Sequence, residues 1–413
     1  MSFLTEQKAF NAWAFNALHA ENTQAVAVGE LADAYTRDVN VNCFLPAERD
    51  AVVEGLLEAC SKYWGIAVAR KVKPSENEKT VLQGISFRPP EKIYGKPVLY
   101  VASSTTLNPN SGFNEKGGLS TIGVGNCGNA CAFSCAYCSS GAVMERNPQS
   151  TILRVLGVSH EDVVVRRLGA VETARRQLTA ADGTPRFLTP GDSRIVEIAS
   201  LVDPLPTPAL AEETYRLAKV ILELTHWRIR ILTKSALLGK FARRFDEAER
   251  QRLLLGFSIG IPDDDVAKVV EKGTTFPSTR FRIHRELLAE GFRMFGMACP
   301  VLPVPDFRAL AERIAEQIQP DRLEQVWCEA VNRRGDSLLR TTAALQRGGF
   351  TALAQRLAKV SRSEILWEIE YNREAFLGFH GVIPEGKLAF LTYTNPSSEA
   401  WWSQYARDGA VLL

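Results

Sequence analysis

From about residue 96 onward, short apolar runs alternate with longer stretches whose apolar residues recur at helical spacing. The runs LSTIGV (119–124), RIVEIAS (194–200), RIRILTK (228–234), LLLGFSIG (253–260), FRMFGMAC (292–299) and LEQVWCEA (323–330) read as strands. Several are apolar at consecutive positions, as expected of strands covered on both faces. Between them HEDVVVRRLGAVETARRQL, ALAEETYRLAKVILEL, SALLGKFARRFDEAERQ, STRFRIHRELLAEG and DFRALAERIAEQI read as helices, and TAALQRGGFTALAQRLAK follows the sixth strand. Strands in series with helices predict a parallel sheet with helices outside. Six units are too few for a closed eight-unit barrel. The pattern therefore predicts an α/β fold built on an open, partial (βα)6 TIM-type barrel, with its chemistry at the C-terminal ends of the strands.

The flanking regions follow other rhythms. EQKAFNAWAFNALHAEN and LPAERDAVVEGLLEACSKYW carry helix-spaced apolar residues, and KVKPSENEKT resembles a linker. They predict a helical N-terminal domain over 1–95, ahead of the barrel at 96–345. In the C-terminal extension, 346–413, SRSEILWEIEYNREAFLGF reads as helix and KLAFLTYT as a strand. The tail EAWWSQYARDGAVLL reads as a cap packed onto the barrel or onto a partner.

Composition narrows the class. The 413 residues are 46% apolar and 23% charged, as in globular proteins, and the net charge of +2 points to no acidic partner by itself. The opening residues lack a signal-peptide apolar run, and no stretch reaches the roughly 18 apolar residues that cross a bilayer. The expected location is the cytoplasm, where eight cysteines suit metal binding better than a disulfide framework.

Four of those cysteines fall in GNCGNACAFSCAYCSSG, just after the first strand: Cys127, Cys131, Cys135 and Cys138. The last three are spaced C-x3-C-x2-C. Structural zinc would favour two close pairs on separated loops. A redox C-x-x-C at Cys135 and Cys138 would leave Cys131 without a role. Thiolates also hold iron–sulfur clusters, and three of them on one loop leave the fourth iron of a cubane open to a ligand that is not protein. Glycines at 123, 125 and 128 let the backbone wrap closely around such a core.

Cys131-Ala-Phe-Ser-Cys135-Ala-Tyr137-Cys138 resembles the cluster motif of the radical S-adenosylmethionine (SAM) enzymes, including the aromatic before the last cysteine. The resemblance implies a [4Fe–4S] cluster on Cys131, Cys135 and Cys138, with Cys127 outside the set. It implies SAM bound to the open iron, a 5′-deoxyadenosyl radical that abstracts hydrogen from a substrate, and a low-potential electron donor such as flavodoxin or ferredoxin.

Over roughly residues 119–310 the chain is similar to one branch of that superfamily, the spore photoproduct lyase-like proteins. The similarity rests on Ser200-Leu-Val-Asp203-Pro204, Thr233-Lys234-Ser235, Ser258 in GFSIG, the spacing Glu271…Pro277…Arg280…Gly291, and Cys299-Pro300-Val-Leu-Pro303. Chemically, Ser200 and Asp203 suit the SAM ammonium, Lys234 and Arg280 its carboxylate, and Ser258 a ribose hydroxyl. Each also has a plain reading: Asp203 as a turn residue before a proline, Lys234 and Arg280 as solvated charges. The branch implies a hydrogen-donor cysteine some tens of residues after the cluster, yet none lies between Cys138 and Cys299. Cys299, at the end of the fifth strand, is then the candidate catalytic thiol, with Cys328 beside it in the next strand.

Substrate signals are thinner. Arg228, Arg230, Lys234, Lys240, Arg243, Arg244, Arg250 and Arg252 form one basic group; Arg280, Arg282, Arg285 and Arg293 form another, and Arg333-Arg334 follow the sixth strand. Such groups bind phosphates, as in nucleic acid or a nucleotide, or pair with nearby acids such as Asp246, Glu247 and Glu249. Trp401, Trp402 and Tyr405 suit base stacking or a packed tail. His160, His226 and His284 read as structural. Three functions stay open: a radical SAM enzyme acting on a DNA base or nucleotide, lyase included; a biosynthetic radical SAM enzyme acting on a peptide or small metabolite; and a non-catalytic zinc-binding protein.

Overall fold

The computed structural model describes residues 18–27, 71–72, 79–87, 91–102, 105–108, 115–144, 153, 158–198 and 201–413. They belong to two compact units, one drawn from 1–102 and 143–168, the other from 103–142 and 169–413.

In the first unit Leu18–Ala27 pairs antiparallel with Lys79–Phe87, which also pairs with Lys71–Val72. The helix expected over 6–22 therefore gives way to a strand at Leu18–Ala27, and the expected linker ends in strand residues. Ladder bonds to a segment some 60 residues away override a local helical period here, because β-structure is decided by its partner more than by propensity. Lys92–Ile93, also within the expected helical domain, is a strand, and the expected helix over 45–64 lies outside the described residues. Val164–Leu168, expected within a helix, is instead a strand parallel to Lys96–Ala102. The β-branched run Val163-Val164-Val165 favours extended backbone. The helix begins only at Ala170, after Gly169 takes a left-handed φ of 71°.

The second unit is built on one sheet of nine strands: β1 (Leu107–Asn108), β2 (Val124–Gly125), β3 (Ile195–Ile198), β4 (Arg228–Thr233), β5 (Leu253–Ser258), β6 (Met294–Val301), β7 (Val326–Ala330), β8 (Leu388–Thr392) and β9 (Ala410–Leu412). They lie side by side in chain order. β1 and β2 pair antiparallel; from β2 to β9 every pair is parallel. Five of the six expected strands form the middle of this open sheet; the first, expected over 119–124, is a strand only at Val124–Gly125, with Thr121 and Ile122 donating to the Ile195 carbonyl beside it. Residues expected as a separate cap supply two further strands, so the half-barrel carries eight parallel strands. Leu388–Thr392 is buried at every position, which explains why it sits inside the sheet and not on top of it.

Side chains alternate between the two faces. Outward residues such as Ile229, Leu255, Met294, Val326 and Cys328 pack under helices, while Ile195, Leu254, Phe295, Met297, Trp327, Ala389 and Leu391 fill the inner face. The helices start where capping residues direct them. Thr207 caps Pro208–Leu224 with proline at the first position, and Asp306 caps Phe307–Ile318 by accepting from the Ala309 N–H at 2.9 Å. The expected helix over 235–251 breaks into Leu237–Ala242 and Glu247–Arg250, the second opened by an Asp246–Glu249 capping box. Gly348-Gly349 likewise divides Ser337–Arg347 from Thr351–Val360.

The deep end of the inner face is closed by a cation on aromatic rings. The Arg230 guanidinium lies 4.5 Å from the Trp327 ring centre and 5.3 Å from that of Phe295, and donates to the carbonyls of Gly118 and Leu119. Gly256 leaves room for Phe295: a Cβ there would stand 2.5 Å from the ring. No helix among the described residues is long and apolar enough to cross a membrane.

Candidate functional site

The cysteine loop leaves the C-terminal end of β2. Cys127 is buried in the large core cluster, against which Cys135 also packs. Cys131, Cys135 and Cys138 are each half-buried. Several contacts shape the loop. The Asp203 N–H points at Cys131 Sγ, 3.4 Å away. Ser134–Cys135 forms a two-residue antiparallel ladder with Glu271–Lys272, and the Ala136 N–H donates to the Val270 carbonyl at 2.8 Å. Arg340 donates to the Cys138 carbonyl.

Burial, then the nearby Asp203 carboxylate, pushes the Cys131 thiol up to about 12. Burial pushes Cys135 up too, opposed by Lys234 and reinforced by Glu271. Both thiols also feel Cys138, so the three sulfurs share one electrostatic environment. The raised Cys131 and Cys135 thiols stay protonated until cations arrive, and a bound metal reverses that balance. Among the described residues no three His, Cys, Asp or Glu side chains are gathered as a single ion's ligands would be. In a cubane each thiolate binds a different iron, so a cluster does not require the gathering that a single ion does. The donor chemistry fits as well: three thiols on one loop, and an N–H aimed at a sulfur, the kind of bond that tunes cluster potentials.

The expected SAM-binding residues fall on and around the neighbouring strand ends. Asp203 follows β3 and ties two elements together: its carboxylate accepts from the Thr233 hydroxyl at 2.7 Å, the Lys234 N–H at 2.7 Å and the Leu205 N–H at 2.9 Å. Burial raises its pKa against the pull of these donors. Lys234 Nζ donates to Ser258 Oγ at 2.8 Å and sits 5.5 Å from the Tyr137 ring centre. Ser258 in turn donates to the Cys299 carbonyl at 2.7 Å. Arg280 is fully buried, one end of its fork on Glu271 and the other on the Ser258 carbonyl. Its charge thus faces the support of the cysteine loop and not an open space. Ser200 lies outside the described residues.

Cys299 is half-buried and packs against the inner-face cluster at the end of β6, whereas Cys328 points outward into the helix-covered core. Burial, then Glu329 and Cys328, hold Cys299 well above the ordinary thiol range, which keeps it as S–H. Glu329 lies on the same inner face by alternation with Trp327. Burial lifts its carboxyl from 4.5 to about 7, and its contact with Asn332 is a long 3.4 Å. Glu329 escapes the reading of the sequence given above. Its signal was a lone acid at an inward position of the apolar strand VWCEA. Arg340 had no comparable signal, since an arginine in an amphipathic helix is commonplace.

The basic groups resolve differently from a phosphate-binding surface. Arg228, Arg252 and Arg293 stand at the starts of strands, the end opposite the cysteine loop, and contact backbone carbonyls or Glu324. Arg243 pairs with Glu290 and Arg244 with Glu212. Of those groups Lys234, Arg333 and Arg334 stand at the strand ends, Lys234 on Ser258, Arg333 3.9 Å from Glu364 and Arg334 over the Tyr393 ring. Trp402 is buried and donates to Glu368 at 2.6 Å, so the tail aromatics are packing residues, and His284 is buried against the Ile318 carbonyl.

The class these features define is an open α/β half-barrel with a three-cysteine loop at the C-terminal ends of its parallel strands. No protein-family model matches the chain, and no curated protein matches it in sequence. Among solved structures the chain is similar to spore photoproduct lyase. One mutant of that enzyme is 14% identical, with a TM-score of 0.41 and a match covering 60% of this chain and 66% of that one. A mutant with bound AdoMet and dinucleoside spore photoproduct is 13% identical, with a TM-score of 0.40 and the same coverage. A complex with dinucleoside spore photoproduct is 12% identical, with a TM-score of 0.41 and again that coverage. The match thus spans 66% of the length of these relatives.

Proposed function

We propose that this chain is a radical SAM enzyme in which Cys131, Cys135 and Cys138 hold a [4Fe–4S] cluster. The observation that carries the reading is the C-x3-C-x2-C loop at the C-terminal strand ends, tied to Asp203 and Glu271. When bound, the cluster and SAM supply a 5′-deoxyadenosyl radical that takes a hydrogen atom from substrate, after one electron from a low-potential donor. The chain's own residues do the rest. Asp203 fixes Cys131 relative to β4, and Lys234 offers the cation for the SAM carboxylate. Ser258 orients Lys234, and Cys299, kept as S–H, is the hydrogen donor to the substrate radical. The proposed substrate is a base in DNA or a nucleotide, by resemblance to the photoproduct lyases, with Lys234, Arg333 and Arg334 as its nearest cations.

Anaerobic reconstitution tests this. The chain is expected to bind iron and sulfide and, with dithionite and SAM, to form 5′-deoxyadenosine. Cys131→Ala, Cys135→Ala and Cys138→Ala each abolish both, while Cys127→Ala keeps them. Zinc without iron, or cluster loss in the Cys127 variant alone, overturns the reading.

A further inference from the structure

Beneath the cysteine loop lies a chain of buried contacts that cluster chemistry alone does not require. Tyr137, within the motif, donates its hydroxyl to one oxygen of Glu271. The other oxygen of Glu271 accepts from Arg280, whose second Nη donates to the Ser258 carbonyl at the end of β5. The side chains of Arg280 and Glu271 are 0% and 1% exposed, so water reaches neither. Glu271 also pairs through its backbone with Cys135. One residue thus grips the loop twice, by main chain at Cys135 and by side chain at Tyr137. Nine residues on, just inside the helix Pro277–Ala289, the arginine supplies the compensating charge.

We infer that Glu271 and Arg280 form a charge-balanced latch that positions the cysteine loop and sets the electrostatic field at its sulfurs; the second half of this rests on the function proposed above. A buried pair suits both tasks. Breaking it leaves one charge without water or partner, so the loop cannot drift while the pair is intact. Its two charges also act oppositely on a redox centre beside them. A carboxylate disfavours the arrival of an electron and a guanidinium favours it, with little solvent between to screen either. Glu271 and Arg280 are positioning residues, since they act through Cys135, Tyr137 and the strand end.

Two measurements on the full chain test the two halves separately. In the metal-free protein, alkylation of Cys135 and Cys138, mapped by mass spectrometry against buried Cys127, is expected to quicken several-fold in Glu271→Ala and Arg280→Met. The neutral double variant E271Q/R280M guards against misfolding, because it leaves no unpaired buried charge; its labelling falls between wild type and the single variants. Unchanged labelling in all three overturns the latch. In the reconstituted protein, the cluster midpoint potential is expected to rise in Glu271→Gln and fall in Arg280→Met. Shifts of the same sign, or none, overturn the field. A wild-type chain that takes up no iron and sulfide refutes the proposed function instead, and the labelling alone then decides the latch.

Discussion

Glu329 stands in a strand whose other residues, Val326, Trp327, Cys328 and Ala330, are apolar and buried. Burial raises its carboxyl from 4.5 to about 7, so the folded chain binds this proton more tightly than the unfolded chain does. The resulting stability is fully present below about pH 4.5 and is lost as pH rises through about 7. Glu329→Gln is therefore expected to gain about 1–3 kcal/mol over wild type at pH 8 and little at pH 4.5. Urea unfolding of both proteins at the two pH values checks this, and an equal difference at each would show that Glu329 titrates normally. At this scale the C-x3-C-x2-C motif is legible in sequence, because spacing is a local property. The partner of Tyr137 was not, because its hydroxyl meets a carboxylate 134 residues away. Arg280 was read as a free cation for the same reason: its counter-charge was visible in the sequence, but the burial that joins them was not.

Helices and strands here were easy to read where one face dominates and hard where partners decide. Phe307–Ile318 shows its capping aspartate and apolar stripe directly in DFRALAERIAEQI. Val164–Leu168 does not announce itself, because its β-branched run adjoins helix-forming residues and only the Lys96–Ala102 partner makes it a strand. The two last strands were ambiguous because a fully buried strand and a packed tail have the same apolar composition. One helix contact allows a direct test. A Cβ at Gly378, in the helix Glu374–His380, would lie 2.5 Å from Phe307 Cβ and 2.7 Å from the Phe307 carbonyl carbon. Gly378→Ala gains about 1 kcal/mol of helix propensity. Overpacking against backbone costs about 1–3 kcal/mol, so net destabilisation is expected. A urea midpoint at or above wild type would show that the two helices can move apart freely.

For the molecule as a whole, charge is mostly spent internally. Arginines at the strand starts are bonded to carbonyls and glutamates, while Lys234, Arg333 and Arg334 stand at the site end beside Arg340, which is held by the Cys138 carbonyl. A short single strand held by three such contacts has a salt slope of about −2 in log K against log [salt]. Fluorescence anisotropy over a salt series tests this, and a much steeper slope would locate the binding cations elsewhere in the chain. The contacts that shape the cysteine loop also order events in time. Cys131 meets Asp203 after 72 further residues, Tyr137 meets Glu271 after 134, and Cys138 meets Arg340 after 202. A chain emerging from the ribosome therefore exposes its three thiols long before anything holds them. Until Arg340 is made they are open to oxidants and stray metals. On the function proposed above, cluster insertion would follow synthesis of most of the barrel, with air during translation as the hazard.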